Sequence, residues 1–269
     1  MIYLRRIFSF HKTRNQKEYI DLRCSSKLLH RALPPPPLWT SFPCSNHKTL
    51  QSLVNRLEEL QGDEESSGNV PSLLFMEAGE YGAEGNYVTV KKPLSIIGAG
   101  RGKTTLVGIG LKIGGNKSEG IVEIEDLTIK RGYVVAWTGM NVRMRGCSVE
   151  ECENGVFAYG ADISCNDLQV VGCGLSGVWA GNSSTITLSG QGTSIQKNGT
   201  KGNSDSYGLS TSMNCKIQLV LPLTKEEIST NNGGGGNWGG DGTIEQVKND
   251  GVVLQIVYEG QEEESEGDY

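Results

Sequence analysis

The chain has 269 residues, with 25 Lys and Arg against 31 Asp and Glu for a net charge of −6, and it is 36% hydrophobic but only 7% aromatic. That length suffices for one large domain with a small appendage. Glycine is the outlier at 37 residues, about twice ordinary usage. No run of 18 apolar residues exists to cross a bilayer, and the glycines lack the triplet period of collagen. They recur between β-rich stretches, which points to many turns.

In chain order, residues 1–48 carry nine Lys and Arg against Glu18 and Asp21, a net of +7 that leaves −13 for the rest. Two modules with different partners are expected. The basic residues are interleaved with apolar ones in a short segment, which weighs against nucleic acid as a partner. Arg5 and Arg6 interrupt the first apolar stretch, and residues 11–14 end it before a signal-peptide core of ordinary length. The seven cysteines (Cys24, Cys44, Cys147, Cys152, Cys165, Cys173, Cys215) are therefore expected to be reduced, in an intracellular protein of the cytoplasm or nucleus. No C-x-x-C pair occurs and the closest pair, Cys147 and Cys152, has no His nearby, so no metal is expected.

Leu50, Leu53, Val54, Leu57 and Leu60 stand at helical spacing and predict a helix over 49–61. Short β-like runs follow from Ser72: 73–75, 87–90, 94–97 and 106–107. Between 121 and 215 the chain repeats itself. Tyr133-Val134-Val135-Ala136-Trp137, Gly155-Val156-Phe157-Ala158-Tyr159 and Gly177-Val178-Trp179-Ala180-Gly181 recur at 22-residue intervals. Upstream of them Leu127-x-Ile129, Cys147-x-Val149-x-x-Cys152 and Leu168-x-Val170-x-x-Cys173 recur in step, and Ile195, Asn198 and Leu209 continue the series.

A unit this short cannot bury its apolar face alone, whereas stacked copies form one continuous core. The prediction is a mainly β chain: a parallel β-helix of about seven coils over 70–258, preceded by a capping helix in 46–62 that covers the first coil. Val134, Val156, Val178 and Leu209 should stack inside as a ladder. Cys152, Cys173 and Asn198 should stack at a turn, the thiols pointing inward. Outward positions of the same strands hold Val135, Phe157 and Trp179 in one column and Trp137 and Tyr159 in the next. Trp137, Phe157, Tyr159 and Trp179 are the expected ligand-binding face, for a sugar ring or a protein partner. The alternative is that they lie beneath a loop or only strengthen the sheet. Residues 231–240, rich in Asn and Gly, read as a flexible loop, 252–257 as a last strand, and 259–269 as a disordered acidic tail.

Residues 98–105 (Gly-Ala-Gly-Arg-Gly-Lys-Thr-Thr) suggest a phosphate loop, but Ile97 stands where the first Gly is required, and a strand-like run follows instead of a helix. Paired carboxylates for glycosidic cleavage would have to project from one face. Asp126 and Asp167 are equivalent in the repeat, but Gly146 stands between them. No catalytic residue is assigned, no cofactor is implied, and the chain is not expected to be an enzyme.

The runs 92–100 (Lys-Pro-Leu-Ser-Ile-Ile-Gly-Ala-Gly) and 103–108 (Lys-Thr-Thr-Leu-Val-Gly) resemble the opening coils of pectin esterases and other pectin-lyase-like proteins. Thr49-Leu50-Gln51-Ser52-Leu53 resembles their capping helix, and Glu77-Ala78-Gly79-Glu80-Tyr81 their first turn. The resemblance implies a right-handed parallel β-helix and carries no activity, because the esterases' catalytic Gln, Asp and Arg motifs are not found.

Residues 4–42 carry a second resemblance. Ile7-Phe8-Ser9-Phe10, the run 21–33 (Asp-Leu-Arg-Cys-Ser-Ser-Lys-Leu-Leu-His-Arg-Ala-Leu) and Leu38-Trp39-Thr40 look like an F-box, without its Leu-Pro-x-Glu opening. This would make 1–45 a truncated helical segment. The family implies docking on the adaptor of an SCF-type ubiquitin ligase, here through Leu22, Leu28, Leu29, Leu33 and Trp39. A transit peptide over 1–17 is the competing reading of the basic start. F-box proteins with β-helix repeats of the carbohydrate-binding and sugar-hydrolase type share this order of parts. The expected function is non-catalytic recognition of a protein or glycan, as the substrate receptor of such a ligase; the alternative is a β-helix that binds or modifies polysaccharide.

Overall fold

A computed structural model describes residues 39–62, 70–115 and 120–248, with the backbone alone at 39 and 83–86. Leu22, Leu28, Leu29 and Leu33 lie outside these residues, as do the strand expected at 252–257 and the tail 259–269.

The described chain winds into a parallel β-solenoid of about seven turns. In sheet 1, nine strands lie side by side in chain order: Trp39–Phe42, Leu73–Met76, Ser95–Gly98, Ile121–Glu125, Asn141–Arg145, Asp162–Asn166, Thr185–Ser189, Lys216–Val220 and Thr243–Val247. Sheet 2 covers the other two faces. The strand Thr104–Ile113 runs across both, pairing with Thr128–Lys130 through its first half and with Val134–Trp137 through its second. In later coils the corner opens at Arg131, Glu151, Gly172, Lys197 and Asn231, all with φ between 52° and 72°, so each coil contributes separate short strands.

The predicted ladder is observed. Val134, Val156, Val178 and Leu209 are register partners and almost completely buried, each contributing about 1.5–3 kcal/mol of burial. The interval to Leu209 is longer than the earlier ones, and residues 199–206 absorb the surplus as a turn between strands Ser194–Gln196 and Tyr207–Thr211. Cys152 and Cys173 are buried free thiols, and Cys152 Sγ donates to the Glu150 carbonyl at 3.2 Å and the Ile129 carbonyl at 3.8 Å. Asn198 continues their ladder, accepting from the Cys173 backbone N–H at 3.0 Å and donating to the Val170 carbonyl at 3.3 Å.

A second corner explains a feature of the repeat. Asp126, Gly146, Asp167 and Gly190 all adopt positive φ at the turn leaving sheet 1. A Cβ at Gly146 would stand 2.5 Å from Asp126 Oδ1, and one at Gly190 would collide with Asp167 Oδ1. Each carboxylate thus covers the glycine of the next coil, and the two acids serve the turns.

Helix α1 (Leu50–Gln61) begins at Thr49, whose hydroxyl accepts from the Ser52 N–H at 3.1 Å. It buries Leu50, Leu53, Val54 and Leu57. Its polar face satisfies the open edge of strand Gly79–Val90: Gln51 accepts from the Thr89 N–H at 2.6 Å and donates to the Thr89 carbonyl at 3.2 Å, while Glu58 accepts from the Lys91 N–H. An unpaired strand edge is a template for aggregation, and these side chains occupy it.

Two expectations are corrected. Trp39 was expected to close a helical segment, but Trp39–Phe42 is a strand paired with Leu73–Met76 as the first rung of sheet 1, so the solenoid begins inside the segment assigned to 1–45. The Gly-rich run is not a loop throughout: Gly236–Gly240 is a strand on Tyr207–Thr211. The Tyr207 ring lies where Cβ atoms of Gly235 and Gly239 would be, so glycine there makes room for an aromatic neighbour. Among the described residues no helix is long and apolar enough to cross a membrane.

Candidate functional site

The outward face of Val134–Trp137, Val156–Tyr159 and Val178–Gly181 gathers the four predicted aromatics. Register puts Lys112, Val135, Phe157, Trp179 and Ser210 in one column and Trp137, Tyr159 and Gly181 in the next. The rings touch one another. Phe157 and Trp179 stack with centroids 4.0 Å apart and planes within 12°. Tyr159 lies nearly parallel to both, 6.4 Å from each. Trp137 is tilted, 5.4 Å from Tyr159 and at 75° to Phe157. Trp137 is 40% exposed and Tyr159 37%.

Gly181 makes this packing possible. A Cβ at that position would run into the Trp179 indole, so the ring leans over the bare backbone and reaches Tyr159 as well as Phe157. Carbon atoms in contact sit about 3.5–4.0 Å apart. Rings with centroids at 4.0 Å and parallel planes therefore lie face on face. Phe157 and Trp179 each cover one face of the other, and the stack runs from rung to rung along the solenoid.

An open cleft of about 240 Å³ lies at the near end of the stack, lined by Lys112, Tyr133, Val135, Trp137, Glu153, Asn154 and Phe157. Its floor is Val135, which is 5% exposed. The Lys112 ammonium sits 5.5 Å from the Tyr87 ring centre and 5.4 Å from that of Trp137, a cation held by ring faces. It forms no ion pair with any described residue. Glu153 is engaged by Lys201 at 2.8 Å. Burial, with Tyr87 nearby, pushes the Tyr133 phenol above its ordinary range, so it remains a neutral hydrogen-bonding group. Lys112, Tyr133, Glu153 and Asn154 were not assigned to the binding face from the sequence. Lys112 stands one coil before Val135 in the column, so extending the repeat backward would have found it.

A second depression of about 350 Å³ lies on sheet 1, among Ile121, Asn141, Arg143, Asp162, Ser164 and Thr187. It belongs to a polar ladder whose members bond along the sheet: Ser95 to Glu123 at 2.8 Å, Arg143 to Glu123 at 2.7 Å, and Gln218 to Glu245 at 2.9 Å.

The thiols of both columns are buried. Burial pushes Cys147 up to about 12; in the neighbouring pair the Cys152 thiol together with burial pushes Cys173 upward, while Cys173 holds Cys152 below its ordinary value. Comparisons with protein-family models, with curated proteins and with solved structures find no match to this chain. The described chain is thus classed by its architecture, a parallel β-solenoid with an exposed aromatic stack on one sheet.

Proposed function

We propose that the chain is a non-catalytic recognition protein whose solenoid offers Trp137, Phe157, Tyr159 and Trp179 to a protein ligand. The observation that carries this reading is the cluster of four rings, each in contact with two or three of the others and partly exposed beside an open cleft. Clustered Trp and Tyr in a partly dry setting are the side chains that dominate protein interfaces. Rings that cover one another's faces offer edges and one free end, which supports a protein over a sugar chain laid flat. The finer part of the proposal is that residues 4–42 couple this receptor to an SCF-type adaptor through Leu22, Leu28, Leu29 and Leu33, as their F-box resemblance implies.

The test is affinity capture by the tagged full-length chain from a eukaryotic lysate, read by mass spectrometry. Leu28→Ala with Leu29→Ala should lose the adaptor and a cullin while keeping other captured proteins; Trp137→Ala with Trp179→Ala should do the reverse. If neither pair changes what is captured, the proposal fails. A saturable tryptophan-fluorescence response to an oligosaccharide, lost in Trp179→Ala, would transfer the site to polysaccharide binding.

A further inference from the structure

The two ends of the solenoid are closed differently. At the first coil α1 covers the core, and its Gln51 and Glu58 side chains occupy the edge of strand Gly79–Val90 and the residue after it. At the other end the terminal rungs are Ser229–Thr230, Gly236–Gly240 and Thr243–Val247, and no described strand pairs with their far sides. Over the first two, side chains of the same coil reach in: the Ser229 hydroxyl donates to the Asn237 carbonyl at 2.6 Å, and the Lys225 ammonium stands 5.0 Å from the Trp238 ring centre. Thr243–Val247 has no such cover. No described side chain bonds to its backbone, and Gln246 donates its own side-chain amide to the Leu223 carbonyl.

The hydrogen bonds fix which groups of this strand stay open. The Thr243 N–H donates to the Cys215 carbonyl and the Val247 carbonyl accepts from the Leu221 N–H, both at 3.0 Å. These alternate residues face the preceding rung, so the backbone groups of Ile244 and Gln246 face outward. Ile244 is also the last member of an inward ladder, after Val122, Val142, Ile163, Ile186 and Ile217. Those five are at most 2% exposed, whereas Ile244 is only partly buried. Unpaired amides beside an uncovered apolar side chain fit an extended segment that brings both backbone groups and apolar residues.

We propose that the edge of Thr243–Val247 is a docking surface for one apolar strand, and that its occupant is residues 252–257 of the same chain. The run Val-Val-Leu-Gln-Ile-Val has five apolar residues in six, four of them β-branched, and left uncovered such a run is an aggregation hazard. It follows Val247 after Lys248-Asn249-Asp250-Gly251, whose Asn, Asp and Gly suit a tight turn. A strand tethered by these four residues meets the edge at an effective concentration in the millimolar range, which favours it over a second copy or a separate partner. The six acidic residues among 259–269 then repel a further chain from its outer side.

Amide hydrogen exchange of the full-length chain, read by NMR, tests this. The Ile244 and Gln246 amides should exchange about a hundredfold or more slower than unpaired amides. Val253→Asp with Leu254→Asp puts one charge on each face of the strand whatever its register, and should release both amides while those of Ile163 and Ile186 stay protected. If that variant does not fold, nuclear Overhauser contacts between Ile244 and residues 252–257 in the parent decide, and their absence overturns the proposal. It is also overturned if both amides exchange freely in the parent, or if their protection survives the double substitution. Protection that grows with protein concentration, alongside a doubled mass in light scattering, would overturn it by giving the edge to a second copy. None of these outcomes bears on Trp137 and Trp179, so the recognition reading stands or falls separately.

Discussion

Lys197 holds φ at 56° at a corner where the preceding coil places Gly172 and the following one Asn231. A long side chain in that region costs about 1–2 kcal/mol, partly offset in a glycine variant by backbone entropy. Lys197→Gly, at an exposed site, should therefore stabilise the fold by about 0.5–1 kcal/mol, or a few degrees in Tm, measured by thermal denaturation. Gly146→Ala should do the opposite, by about 2 kcal/mol or more, because it combines φ of 61° with a Cβ 2.5 Å from Asp126 Oδ1. The alternation of Asp126, Gly146 and Asp167 was legible in the repeat, but its reason was not, since only the fold shows one coil's carboxylate over the next coil's glycine. Burial also sets a pH dependence. Cys147 rises from 9.0 to about 12, so the neutral thiol is the form the fold favours. Its contribution is complete below pH 9 and is lost as pH climbs toward 12. Urea unfolding at pH 10.5 should show Cys147→Ala losing about 2 kcal/mol less than the parent, relative to pH 7; equal losses would remove the thiol from the account.

At the scale of elements, α1 closes the first coil with side chains as well as apolar burial. Gln51 takes the two backbone groups of Thr89 in strand Gly79–Val90, and Glu58 the N–H of Lys91 just beyond it, groups that would otherwise form an open edge. Gln51→Ala with Glu58→Ala should cost about 2–3 kcal/mol and promote self-association, visible as a mass increase in light scattering; a monomer of unchanged stability would show that the leucines suffice. The helix itself was legible because its apolar spacing is strong. The strand Trp39–Phe42 was not, because its four residues have no room to display a period and follow a proline run that reads as a boundary. The strand Gly236–Gly240 was hidden for another reason: glycine's usual signal is flexibility, while here it clears space for the Tyr207 ring.

For the whole molecule, the 22-residue interval in the middle coils made the fold legible, since like residues recurring from coil to coil are what parallel stacking brings into register. It also placed Trp137, Phe157, Tyr159 and Trp179 together on one face. It could not show that Phe157 and Trp179 stack on each other, or that Lys112 completes the column from a strand with no repeat signature of its own. The same interval has a kinetic meaning. Every rung pairs with the rung one coil away, so the loop that must close before a native contact forms is about one coil long wherever in the chain it lies. Relative contact order falls as such a chain lengthens. Folding can then begin at any well-formed pair of coils and spread outward by adding neighbours, without a search for contacts between the two ends.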